Sequence, residues 1–230
     1  MRNTGLGEQF ATVARALSEE DVSSTLETSV TLATEVLRGC DEASVTLVYR
    51  NRKIETPVST SDIPARGDQL QSELEEGPCL DVVWEHETVS SPDLAKEKRW
   101  PTWGPRVVEE LGVRSMLCFQ LFTRDDSLGA LNLYSTRADA FTEEDYLEGA
   151  ALAAQVAVAL VAAREIEHLN IAVAGRTVIG QAQGILMERF GIDADRAFAV
   201  LQRVSSHSNR KLYRVADELV TTRRTPDAIG

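Results

Sequence analysis

RTVIGQAQGILMERFGIDADRAFAVLQRVSSHSNRKLYRVADELVTT, residues 176–222, reads as three short helical patterns in succession. In the first, Val178, Ile179, Ala182, Ile185 and Leu186 recur at spacings of three and four, so they share one helix face. Gly180 and Gly184 lie inside it, and each costs a helix about 1 kcal/mol relative to alanine. The expected compensation is close approach of another helix. Gly191 is placed to end the first helix as a C′ glycine. Asp193 is the expected N-cap of the second, which directs Ala197, Phe198, Leu201 and Val204 inward. Ser208 is the expected cap of the third, where Leu212, Val215, Ala216, Leu219 and Val220 form an apolar stripe. Arg210, Lys211 and Arg214 fall off that stripe, and Arg203 adds charge late in the second helix.

The charge of the whole chain hides this patch. At 230 residues with a net charge of −12, the protein at first argues against nucleic acid. From Asn170 to Thr225, however, nine Arg/Lys stand against five Asp/Glu, a balance of +4; the remainder carries fifteen basic and thirty-one acidic residues, −16. A basic segment follows an acidic one, and the acidic part leaves nucleic-acid contact to the tail.

Other chemistries find no constellation. Cys40, Cys79 and Cys118 are scattered without a CxxC or Cys/His cluster, so no metal site is expected. Three thiols behind an N-terminus with no apolar h-region read as reduced cysteines in the cytoplasm. No membrane span is expected: the nearest apolar run, Gly149 to Ala163, is short of the ~20 residues a bilayer needs. No GxSxG, P-loop or HExxH motif is present, and no catalytic residues are assigned. A non-enzymatic role is expected.

Upstream, Phe10 to Leu37 reads as two helices interrupted at Ser18 to Asp21. Ala43–Tyr49 and Ile54–Ser59 read as strands, Ile63–Gly67 as loop, and Gln69–Leu74 and Cys79–Trp84 as short helices. Thr88–Ser90 follows as a strand, 91–105 as a long loop, Arg106–Leu111 as a helix, and Ser115–Phe122 and Leu128–Tyr134 as strands. Thr142 with Asp145 three residues on forms a capping signal for a long helix. The fold class is α+β, an antiparallel sheet flanked by helices with an all-α segment after it.

The phrases IGQAQGILMER (179–189), DADRAFAVLQRVS (193–205) and NRKL followed by VA (209–212, 215–216) closely resemble the ANTAR domain of bacterial transcription antitermination regulators. The resemblance implies a three-helix unit that binds RNA, typically two small stem-loops in tandem. Carried over to this chain, the RNA-binding candidates are Arg203, Asn209, Arg210, Lys211, Tyr213 and Arg214. The family often has a basic residue directly after the NRKL leucine; here Tyr213 stands there, and a tyrosine offers stacking on a loop base instead. Asp217 and Glu218 are spaced to pair with Arg214.

EEGPCLDVVWEHETV (75–89), RWP (99–101), ELGVRSMLCFQL (110–121) and LGALNLYS (128–135) resemble a GAF domain of the kind that accompanies ANTAR in actinobacterial regulators. That implies a sensor for a small molecule; no motif indicates a cofactor, and the ligand is unknown. Cys79, Trp84, Trp100, Trp103 and Cys118 are candidate cavity residues, with burial in the core as the alternative reading; His86 sits in a surface-like run. The expected domains are 1–163 (core about 22–163), a helical linker 164–175, the RNA-binding domain 176–225 and a tail 226–230. No Gly/Pro/Ser-rich break separates Thr142 from Gly175, so one helix is expected from about Thr142 to Arg189. Its apolar stripe argues for a coiled-coil-like homodimer. A DNA-binding regulator and a ligand-sensing dimerisation module without nucleic acid remain the alternatives.

Overall fold

The computed structural model describes residues 11–17, 21–49, 53–84, 87–122 and 127–224. It divides into two compact units, Met1–Arg164 and Glu165–Gly230.

In the first unit a helical segment over 11–16 precedes α1 (Val22–Val36), which starts where Asp21 accepts from the Ser24 backbone N–H at 2.9 Å. The strands are β1 (Glu42–Val48), β2 (Ile54–Ser59), β3 (Thr88–Ser91), β4 (Ser115–Phe122) and β5 (Ser127–Ser135). They pair antiparallel in the order β2-β1-β5-β4-β3. Between them lie α2 (Asp62–Leu74), α3 (Pro78–Trp84) and α4 (Trp103–Leu111).

Side chains alternate across a strand, so β4 feeds two cores at once. Leu117, Phe119 and Leu121 join Leu26, Val30 and Leu160 on one face; Met116 and Cys118 join Leu70, Val82 and Trp103 on the other. Gly129 has φ +152°, and a Cβ there would stand 1.8 Å from the Thr46 carbonyl oxygen of β1, so only glycine permits this strand approach.

Two elements are longer than expected. The helix α2 begins at Asp62, not Gln69, because Ser61 caps it by accepting from Ile63 N–H at 3.2 Å. Pro64 then falls in the first turn, where its missing N–H costs nothing. Likewise α4 starts at Trp103 inside the expected loop: Glu76 accepts from the N–H groups of Thr102 and Trp103 at 2.8 and 3.0 Å.

The loop after β3 is pinned by Asp93. Its carboxylate takes Lys96 at 3.0 Å and Arg114 at 2.9 Å, and these bonds hold its pKa down to about 2. A depressed carboxylate stabilises the fold above its unfolded value, and that contribution is lost as pH falls through about 2. We expect Asp93→Asn to lower the melting temperature at pH 5 and the difference from wild type to shrink steadily below pH 4. A gap that stays constant to pH 2 would contradict this assignment.

The helix α5 spans Glu143–Phe190, 48 residues. Thr142 N–H donates to Asp145 at 2.8 Å and Asp145 N–H to the Thr142 hydroxyl at 3.3 Å, the expected capping box. Asp145 also accepts from Gly39 N–H at 3.2 Å, tying the helix start to the chain after α1. Contrary to the sequence expectation, α5 contains a window long and apolar enough to cross a membrane. The apolarity has a packing cause in the first unit: Leu152, Ala153, Val156, Ala157 and Leu160 enter the first core.

In the second unit α5 continues to Phe190, then α6 (Ala194–Ser208) and α7 (Leu212–Thr222) follow. Gly191 ends α5 at φ +62° with its N–H on the Met187 carbonyl at 2.9 Å. Asp193 caps α6, accepting from Arg196 N–H at 2.8 Å. Ala182, Leu186, Ala197, Leu201, Val204, Val215, Ala216 and Leu219 are the buried core. Phe198, expected inward, is half-buried and stands beside that core rather than in it. Gly180 and Gly184, expected to admit a neighbouring helix, meet no described atom within 4 Å of an added Cβ.

Candidate nucleic-acid interface

The turn between α6 and α7 is built by its own backbone. Asn209 adopts the left-handed conformation at φ 51°, one of the few residue types that does so readily. Arg210 N–H reaches back to the Ser205 carbonyl at 3.1 Å, while the Ser205 hydroxyl donates to the Arg210 carbonyl at 2.5 Å. These bonds present Asn209, Arg210 and Lys211 on the surface and start α7 at Leu212.

Ser208 is not the cap of α7. It is the last residue of α6, and its hydroxyl donates to the Val204 carbonyl at 2.7 Å. Lys211 occupies the N-cap position and makes no capping hydrogen bond. The amide end of α7 is therefore uncapped by any side chain and lies next to a cation. Helix N-termini carry unsatisfied N–H donors and a positive partial charge, both suited to a phosphate.

The six sequence-derived residues fall together on α6, the turn and the first turn of α7, and all six are exposed. Their charges are not equivalent. Arg210 holds Glu218 at 2.6 Å, so Glu218 goes to Arg210 rather than to Arg214 as its spacing had suggested. Arg203, Lys211 and Arg214 make no side-chain ion pair or hydrogen bond among the described residues. Tyr213 is 41 % exposed, and its ring edge lies 3.8 Å from where a Cβ on Gly175 would stand. It leans on the α5 backbone with one side and shows the other to solvent.

In the first unit the candidate ligand residues separate. Cys79, Trp100, Trp103 and Cys118 are packed in the second core, whereas Trp84 is on the surface. Trp100 and Trp103 meet edge to face at 5.8 Å; their indole N–H groups donate to Asp81 at 2.9 Å and to the Gly67 carbonyl at 3.1 Å. These are structural bonds that fix α2, α3 and α4. Burial pushes the Cys40 and Cys79 thiols up to about 12 and Cys118 well above its ordinary value, which disfavours the reactive thiolate. His86 lies outside the described residues.

Sequence reasoning missed the polar centre of this core. The Asp68 carboxylate is 5 % exposed and accepts from Ser44 at 2.7 Å, Thr56 at 3.0 Å, Gln71 at 3.1 Å, Thr46 and Asn132 at 3.3 Å, and Tyr134. Burial raises its pKa, against the pull of those donors. Asn132 Oδ1 is buried without a hydrogen-bond partner among the described residues. The signal was faint: Asn132 and Tyr134 alternate with apolar residues in ALNLY, on the strand face that Ala130 also occupies. Among the described residues no His/Cys/Asp/Glu group has metal-site geometry.

Family models match the chain twice: GAF domain over residues 19–161 and ANTAR domain over residues 167–220. Solved structures share the fold of the first unit at low identity. The GAF domain of the cyanobacteriochrome TePixJ superposes with a TM-score of 0.51 at 20 % identity, over 66 % of this chain and 95 % of that one. A GAF domain from an Acinetobacter phosphoenolpyruvate-protein phosphotransferase gives 0.54 at 18 % identity, over 72 % and 97 %. The bacteriophytochrome RpBphP3 from R. palustris gives 0.60 at 11 % identity, over 86 % of this chain and 46 % of that one. No curated protein matches. GAF domains sense signals and ANTAR domains are RNA-binding antitermination domains; both are regulatory rather than catalytic. The chain belongs to the GAF domain family and carries an ANTAR domain, the pairing of a signal-sensing regulator that acts on RNA.

Proposed function

We propose that this protein is a cytoplasmic antiterminator that binds two small RNA stem-loops in tandem, one on the ANTAR unit of each copy of a homodimer paired along α5. The observation that carries this reading is the uncapped N-terminus of α7 with Arg203, Lys211 and Arg214 exposed and unpaired around it, among the described residues. That arrangement suits the phosphates of a hairpin, and Tyr213 offers a partly exposed ring for a loop base. Binding of two hairpins by two linked units multiplies their effects through effective concentration. The signal acts in the GAF unit, whose buried polar centre is the Asp68 cluster, with Asn132 Oδ1 unpartnered among the described residues. Its effect is to shift α5 between pairings that hold both hairpins and pairings that hold one.

The test is binding of the full-length protein to an RNA with two adjacent hairpins, to a single hairpin and to duplex DNA of equal charge, across a salt series. Tight binding only to the paired hairpins is expected. Equal, weak and steeply salt-dependent binding to all three would reduce the patch to nonspecific electrostatics and overturn the reading.

A further inference from the structure

Resting on the reading that the second unit binds RNA, we propose that His207 reads a loop base of the hairpin, its Nε2 accepting from the exocyclic amine of an adenine or a cytosine. His207 stands in the last turn of α6 and is exposed. Arg203 is four residues before it, so the two side chains share one face of the helix. The turn that carries Asn209, Arg210 and Lys211 begins two residues after it. The imidazole therefore lies along α6 between Arg203 and the turn, among the residues that form the basic surface.

One hydrogen bond fixes what this ring offers. Nδ1 lies 2.9 Å from the Arg203 carbonyl oxygen. A carbonyl only accepts, so Nδ1 carries the hydrogen and donates, and in the neutral ring Nε2 is left with its lone pair. The ring is thereby held as an acceptor. The chemistry around it is of the opposite kind. Arg203, Arg210, Lys211 and Arg214 only donate, which serves the phosphate oxygens of any sequence. Asn209 and Tyr213 donate or accept according to how the amide and the hydroxyl turn. His207 is the residue of this surface whose hydrogen-bonding sense is set by a bond to the backbone.

An acceptor of fixed sense discriminates between bases. Adenine and cytosine present an amine where guanine and uracil present a carbonyl oxygen. A hairpin loop leaves that edge unpaired and open to a protein. The amine donates to Nε2, whereas a carbonyl in its place sets one lone pair against another. A single hydrogen bond of this kind changes affinity by about two- to tenfold. A lysine in place of the imidazole reverses the preference, because an ammonium donates to the carbonyl and accepts nothing from the amine.

The experiment selects paired-hairpin RNAs with randomised loops on the full-length protein at about pH 8, where imidazoles are ordinarily neutral. Wild type is compared with His207→Ala and His207→Lys, and the melting of all three is recorded. Wild type is expected to enrich adenine and cytosine over guanine and uracil at one loop position by at least about threefold. His207→Ala is expected to lose that preference and keep the preferences at other positions; His207→Lys is expected to turn it toward guanine and uracil. Variants that melt lower than wild type yet select the same loops would assign the imidazole to finishing α6 alone. That result, or a wild type that binds hairpins without an amine preference at any loop position, overturns the proposal and leaves RNA binding standing. A wild type that enriches no hairpin overturns RNA binding and the proposal together.

Discussion

Removing Lys211 and Arg214 together, as alanines, is expected to weaken binding of the paired-hairpin RNA by roughly a hundredfold. A hydrogen bond to a charged group contributes about 1.5–3 kcal/mol. Both side chains are exposed, so solvent screening argues for the lower end. Two such losses come to about 3 kcal/mol, or about two orders of magnitude. The salt dependence should flatten at the same time, by about one unit of slope for each phosphate contact removed. The thermal melt should not move, because neither side chain has an ion pair or hydrogen bond to lose among the described residues. Arg210→Ala is the informative contrast: Arg210 is already engaged by Glu218 at 2.6 Å, so less of its charge is available to RNA. Retained affinity in the double variant would place the RNA elsewhere on the unit.

Trp103→Ala is expected to destabilise the GAF unit by about 3–5 kcal/mol. Trp103 is fully buried, packs edge to face on Trp100 and donates to the Gly67 carbonyl at 3.1 Å. Its loss leaves a large cavity and an unpaired backbone carbonyl in the same place. At about 2–4 °C per kcal/mol for a unit of this size, melting should fall by roughly 10 °C. Binding of RNA at a temperature where the variant is folded should be unchanged. A variant melting within 2 °C of wild type would mean that α2 and α4 are not held through this indole.

The legibility of the chain differed between its units for a physical reason. In residues 176–222 local signals agree with one another: Gly191 and Asp193 each act over one or two turns and perform the role their position suggested, and the stripes supply the core apart from Phe198. Ser208 failed because its hydroxyl has a nearer acceptor, the Val204 carbonyl four residues back. Ile63–Gly67 was expected to be loop, but Ser61 caps a helix there and makes Pro64 a first-turn proline. That distinction depends on one capping bond, which the pattern of residues does not display.

The sequence by itself determined the α+β class, the strands, the uninterrupted helix joining the two domains and the grouping of the basic residues, since all of these follow from periodicity and short-range spacing. Only the tertiary structure decided which of those cations remain unpaired among the described residues, because the Arg210–Glu218 pair joins residues eight apart, from the turn to the helix after it. Only the tertiary structure assembled the Asp68 cluster, whose donors come from residues 44 to 134. Burial and partner choice depend on what the rest of the chain brings alongside, and no local pattern carries that information.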